Sequence, residues 1–183
     1  EAYPGDLSRV ASVGSFFISR VDTETDRRLE AIGSPEALAL RGKAAIAQGK
    51  LAYRQFREVH SGPRWEALAG QGARVQRPLW ASTSTKNPDY RDVRYVEELV
   101  ARDTVNTMPL ETIEAFADHG EVRGQTATEG LDRARRLWSD LAALGIDEDD
   151  VGMRLEREGV EKFADSYNGA VETIRAKAEK LGR

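Results

Sequence analysis

Three short polar clusters hold the residue types that could bind an anion or attack a carbonyl. The first is Ser15-Phe16-Phe17-Ile18-Ser19-Arg20-Val21-Asp22. Read as a strand, it puts Ser15, Phe17 and Ser19 on one face and leaves Arg20 at the rim. A guanidinium there is either a bidentate phosphate fork or one half of a salt bridge to Asp22, Glu24 or Asp26. The second is Trp80-Ala81-Ser82-Thr83-Ser84-Thr85-Lys86-Asn87-Pro88, four consecutive hydroxyls and a lysine. Hydroxyls, backbone amides and one ammonium group can hold an anion together. Lys86 also has two other readings, a Schiff-base nucleophile and a solvated turn lysine. The first needs a desolvated site, and a loop of Ser, Thr, Asn and Pro argues for a wet one. The third cluster, Thr104-Val105-Asn106-Thr107-Met108-Pro109, either lines the same mouth or caps the helix after it.

These clusters need elements to position them. Residues 10–18 are rich in Val, Phe and Ile and predict a buried strand, and 75–82 predict a second. Residues 103–109 predict a third short strand or strand end. Ser34 before Pro35 and Glu36 is an N-cap signal, predicting one long helix over 35–59. Its buried stripe is Gly42, Ala45, Ile46, Gly49, Ala52, Tyr53 and Phe56. A short helix is expected near 95–99, and one after Pro109 with Leu110, Ile113 and Phe116 inward. Strand alternating with helix argues an α/β architecture with a parallel sheet, the three strands side by side and Ser15, Ser82 and Asn106 at one end. Beyond Gly124 the pattern is helical. One amphipathic face runs from Leu131 to Leu144, and a last helix over 152–181 presents Leu155, Phe163, Tyr167, Ala170, Val171, Ile174 and Ala178, with Phe163 and Tyr167 expected in the core.

Composition removes whole classes of function. The 183 residues contain no cysteine, which excludes thiol nucleophiles and zinc ribbons. A net charge of −4 with both signs mixed along the chain leaves no electrostatic footprint for nucleic acid. The longest uncharged apolar stretch, residues 10–18, is about half of the roughly 20 residues a membrane span requires. His60 and His119 lack a second ligand at metal spacing and read as helix-end residues, and Asp147-Glu148-Asp149-Asp150 reads as a helix N-cap rather than a calcium loop. The opening Glu1-Ala2-Tyr3-Pro4 is neither a signal peptide nor a start at methionine, and is expected to be a cut.

The order of the three clusters, with the closing Leu155-Glu156-Arg157-Glu158-Gly159-Val160-Glu161-Lys162-Phe163, resembles the C-terminal half of transaldolase, particularly its longer actinobacterial-type branch. The resemblance runs from about residue 6 to about 174. It implies a (β/α)8 TIM barrel, here its strands six to eight with their helices over residues 1–124, with C-terminal helices over 125–183. A barrel takes about 250 residues, so about five strands are expected to lie outside this chain, and the N-terminal half of the barrel is the implied partner.

The implied reaction belongs to the pentose phosphate pathway, in the cytoplasm. It moves a dihydroxyacetone unit between sugar phosphates such as fructose 6-phosphate, erythrose 4-phosphate and sedoheptulose 7-phosphate, without a cofactor. The family's Schiff-base lysine, on the fourth strand, and the aspartate and glutamate that assist it, on the first and third, are expected outside this chain, which alone would be inactive. Carried over by motif, Ser15 and Phe17 face the dihydroxyacetone unit, and Arg20, Ser82 and Lys86 hold the phosphate. Two departures are visible. Ser19 replaces a frequent glycine, and Lys86 falls one or two positions beyond a frequent arginine. Two rival readings stand beside this one: a minimal aldolase that uses Lys86 as its own nucleophile, and a non-catalytic phosphosugar-binding or partner-binding module.

Overall fold

The computed structural model describes residue 3 and residues 5–182. The chain divides into two compact units after Ile146. In the first, β1 (Val13–Phe17), β2 (Arg77–Ala81) and β3 (Val105–Asn106) form one parallel sheet in the order β1-β2-β3. The register pairs Ser15 with Leu79, Phe17 with Ala81, and Trp80 with Asn106. The side-by-side parallel arrangement expected from the strand-helix alternation is therefore present, as is the α/β class.

The helices depart from the expectation in instructive ways. Directly after β1 comes α1 (Ile18–Ile32), a helix that begins where the strand was expected to continue. Arg20 consequently sits in the first turn of a helix and not on a strand rim. The single helix expected over 35–59 is two, α2 (Pro35–Leu38) and α3 (Ala44–Val59), although Ser34 does cap the first by accepting the Ala37 amide. The break is at Gly42, whose φ of +66° suits glycine. A Cβ there would meet the Tyr90 ring at 2.6 Å and the Arg94 guanidinium at 2.8 Å.

Downstream lie α4 (Pro63–Ala69), α5 (Arg94–Glu98), α6 (Leu110–His119) and α7 (Leu131–Ala143). On α6 the expected inward face is corrected, because Leu110 is 68% and Ile113 47% exposed while Thr112 is buried. On α7 the expected face holds: Ala134, Leu137, Trp138 and Leu141 are buried. The second unit is α8 (Glu148–Lys180), capped by Asp147, whose carboxylate accepts the Asp150 amide at 2.9 Å. The acidic run is thus the helix cap it was expected to be. Phe163 and Tyr167, expected in the core, are 62% and 70% exposed. Helical spacing of apolar residues specifies a face, not what covers it.

The core of the first unit gathers on β2. Trp80 is buried and donates its indole N–H to the Leu99 carbonyl at 3.0 Å, tying the central strand to the end of α5. Tyr53 on α3 reaches the Arg102 carbonyl at 3.1 Å. Together these bonds fix the segment that leads into β3. Trp80→Ala removes both the ring and the bond, and is expected to cost about 3–5 kcal/mol. The urea midpoint should fall at unchanged slope, and a midpoint shift corresponding to less than about 1 kcal/mol would mean that Trp80 does not anchor this core.

Candidate functional site at the strand ends

The C-terminal ends of the three strands are stitched together by polar bonds. Ser82, the residue after β2, has a φ of +53°, unusual for a residue with a Cβ. That turn presents its carbonyl to the Ser19 amide in the first turn of α1, at 3.0 Å. Thr83 is fully buried and donates its hydroxyl to Asn106 Oδ1 at 2.8 Å, joining β2's end to β3's. Ser15 is exposed on β1, and Phe17 is half-buried as its last residue. The Arg20 guanidinium lies over the Phe17 ring, 4.6 Å from its centroid.

Among the described residues Arg20 forms no salt bridge to Asp22, Glu24 or Asp26. Asp22 is bonded to the Ala45 amide and the Tyr95 hydroxyl, Asp26 to the Gly42 amide and the Tyr90 hydroxyl, and Glu24 to Arg27 and Arg28. Lys86 is exposed in the loop after β2, and its ammonium donates to Ser84 Oγ at 2.9 Å. That exposure argues against a desolvated Schiff-base lysine, although Thr83 earlier in the same loop is buried. Lys86 also lines a cleft of about 190 Å³ with Ser19, Asp22, Asp26, Asn87 and Tyr90. Among the described residues Arg20 and Ser82 do not line that cleft.

A match to a family decides what this arrangement is to be compared with, because the transaldolase/fructose-6-phosphate aldolase family model covers residues 1–174. The chain belongs to that family. It is 55% identical over 178 residues to a transaldolase of Frankia alni, covering 97% of this chain and 47% of that protein. It is 58% identical over 168 residues to a transaldolase of Mycolicibacterium paratuberculosis, covering 91% of this chain and 45% of the relative. With transaldolase 2 of Streptomyces avermitilis the identity is 52% over 176 residues, 96% of this chain and 47% of the relative. The chain thus spans about half the length of these transaldolases.

The residues that sequence reasoning missed are those that hold α1 in place. Asp22 is only 2% exposed, and its two oxygens receive the Ala45 amide at 2.8 Å and the Tyr95 hydroxyl at 2.7 Å. One turn later Asp26 takes the Gly42 amide at 2.8 Å and the Tyr90 hydroxyl at 2.6 Å. The only sequence signal was the four-residue spacing of the two aspartates, which also fits a solvated helix face. The histidines have the helix-end roles expected of them. His60 Nδ1 lies 2.9 Å from the Phe56 carbonyl at the end of α3, and His119 closes α6 with Nε2 2.8 Å from Asp92.

Burial raises the Asp22 carboxyl above its ordinary value, and outweighs the lowering by the Ala45 and Tyr95 hydrogen bonds. An acid whose folded pKa is raised holds its proton longer in the fold than in the unfolded chain. Its contribution to stability is therefore greatest below 3.8 and is lost as pH climbs through the raised value. Asp22→Asn cannot titrate, but keeps an acceptor for the Ala45 amide. Urea midpoints measured between about pH 3 and 7 should show the wild-type advantage over Asp22→Asn shrinking as pH rises. An advantage that grows with pH would reverse the assignment.

Proposed function

We propose that this chain is the C-terminal portion of a transaldolase, moving a dihydroxyacetone unit between sugar phosphates such as fructose 6-phosphate and erythrose 4-phosphate. In this reading β1, β2 and β3 are the sixth to eighth strands of a (β/α)8 barrel. Residues 1–124 carry those strand-helix units, residues 125–183 add the closing helices, and the N-terminal half of the barrel packs against them. The Schiff-base lysine lies outside the chain. Ser15 and Phe17 face the dihydroxyacetone unit, while Arg20, Ser82 and Lys86 receive the phosphate, and the chain by itself is inactive.

The observation that carries the reading is the state of Arg20. Its charge is held in place by an aromatic ring while the nearby carboxylates are bonded to other groups. A guanidinium held this way keeps its N–H edges for a ligand, and their fork geometry matches phosphate oxygens. Two further features support it. The N-terminus of α1 has no side-chain cap, which suits an anion there, and Ser82 is held at the same end by its carbonyl bond to Ser19. The rival in which Lys86 is a nucleophile is weakened by its exposure, since a lysine needs desolvation to be reactive near neutral pH.

Two measurements test this. Borohydride trapping of the protein with fructose 6-phosphate and subsequent peptide mapping should place the adduct on a lysine outside residues 1–183, and an adduct on Lys86 would establish the rival. In the active enzyme, Arg20→Ala should lower kcat/KM for fructose 6-phosphate roughly ten- to hundredfold, as expected for a lost charge-assisted fork worth about 1.5–3 kcal/mol. Lys86→Ala should cost less, because an ammonium acts as a point charge. Unphosphorylated fructose should barely respond to either change. If fructose and fructose 6-phosphate lose activity in equal proportion, Arg20 has a structural role only.

A further inference from the structure

A second and larger cleft, of about 790 Å³, lies among α3, α5, the 121–123 segment and α7, and shares no residue with the strand-end cluster. That volume is within the range of small-molecule sites, about 300–1,000 Å³. Its walls are cationic although the chain as a whole carries a net charge of −4. Part of that charge is neutralised. Lys50 and Arg123 both pair with Glu98, at 3.0 and 2.5 Å, and Arg91 pairs with Glu97 at 2.9 Å. Arg91's hydrogen bond holds the Glu97 carboxyl below the usual carboxylate range.

The rest of the charge is not balanced in this way. Lys43 donates to the Ala39 carbonyl at 2.6 Å, and Arg94 donates to the Gly42 carbonyl and stacks over Tyr90 and Tyr95. Carbonyls and rings orient a cation without neutralising it. From the facing helix come Arg133 and Arg136, one turn apart on α7 and exposed, while the neighbouring Arg135 is the one that pairs with Asp132. Against Lys43, Arg94, Arg133 and Arg136 the described lining residues include Glu121 and Asp140 beyond the carboxylates already paired. The floor is apolar, with Ile46, Ala47 and Leu137.

We propose that this cleft binds a small phosphorylated organic molecule, its phosphate taken by Arg133 and Arg136 from one wall and Lys43 from the other, its carbon skeleton lying on Ile46, Ala47 and Leu137. Two guanidiniums one helical turn apart match phosphate oxygens better than they match a single carboxylate, because each supplies a planar fork. The apolar floor favours an organic phosphate over the bare ion.

The test is calorimetric titration of the protein with inorganic pyrophosphate. The Arg20→Ala variant is used as background to weaken the strand-end cluster, and the wall variants made in it report the larger cleft. Pyrophosphate should bind this background, and Arg133→Ala/Arg136→Ala should weaken binding about tenfold or more. Lys43→Ala, on the opposite wall, should weaken it as well. All three residues are exposed, Arg133 and Arg136 lie within α7 where alanine is a good helix former, and Lys43 makes no side-chain cap bond to α3, so circular dichroism should show both variants folded. No binding to the Arg20→Ala background at millimolar pyrophosphate, or an unchanged Kd in either folded wall variant, would overturn the proposal. The outcome does not depend on the transaldolase reading, which is tested by the trapped lysine and the Arg20 kinetics.

Discussion

The candidate site depends on one buried carboxylate. Asp22 sits inside the protein because two donors from two different elements converge on it, the Ala45 amide at the start of α3 and the Tyr95 hydroxyl on α5. Burying a carboxylate is costly unless its oxygens are hydrogen-bonded. Here each oxygen has a partner, which offsets part of the penalty and fixes the geometry, although burial still raises the carboxyl's pKa. Asp26 repeats the arrangement one turn along α1, with the Gly42 amide and the Tyr90 hydroxyl. Two successive turns of α1 are thereby fixed against α3 and against the segment after β2. The start of α1 inherits that fixation, and Ser19 can meet the Ser82 carbonyl while Arg20 lies over Phe17. Loss of the Asp22 carboxylate would strand an amide and a phenol, and a buried donor without a partner costs about 1–3 kcal/mol.

The same interaction explains which parts of the fold were legible in the sequence. The strands were, because Val13, Phe16, Phe17, Leu79 and Trp80 are β-formers bounded by glycine, proline and hydroxyl residues. α1 was not. Its buried face includes Asp22, Thr25 and Asp26 beside Ile18, Val21 and Leu29, so polar residues interrupt the apolar period that announces a helix. Those polar residues are buried only because α3 and α5 bring donors to them, and such a long-range match leaves no local trace. The division of the 35–59 helix failed to show for a related reason. Gly42 reads as a small residue in a helical stripe, whereas its role is to turn the chain beneath Tyr90 and Arg94. Phe17, Arg20, Ser82 and Lys86 lie at or beyond the ends of β1 and β2, Arg20 on a helix, while Ser15 sits in the middle of β1.

The faces of the sheet and of the later helices show where sequence pattern stops carrying information. Val13 and Phe16 on β1, an edge strand, are at least a third exposed, as are Leu110 and Ile113 on α6. Each belongs to a regular apolar pattern, and pattern alone predicted burial. Exposed apolar surface on an edge strand is a liability that closed barrels remove by giving each edge a neighbour. The proposed barrel would do that for β1 and β3 together, which makes the exposure on β1 an expected feature of the reading.

A ring holds a guanidinium at the strand-end cluster and again on the wall of the larger cleft. Arg20 is held over Phe17, and Arg94 over Tyr90 and Tyr95, by the attraction of a cation for the face of a ring. A carboxylate would hold a guanidinium as firmly, but it would also cancel the charge and occupy the N–H edges a ligand needs. In the ion pairs of the larger cleft, Arg91–Glu97 and Lys50–Glu98, one partner is buried and the charge is consumed internally. Where the structure uses rings and carbonyls, the cation is positioned without a direct ion pair. For a chain with a net charge of −4, that difference decides where an anion meets an attractive field, because neighbouring acidic groups would otherwise repel it. Net charge is therefore a poor guide to the ligand of this protein, and the choice of partner for each arginine is a better one.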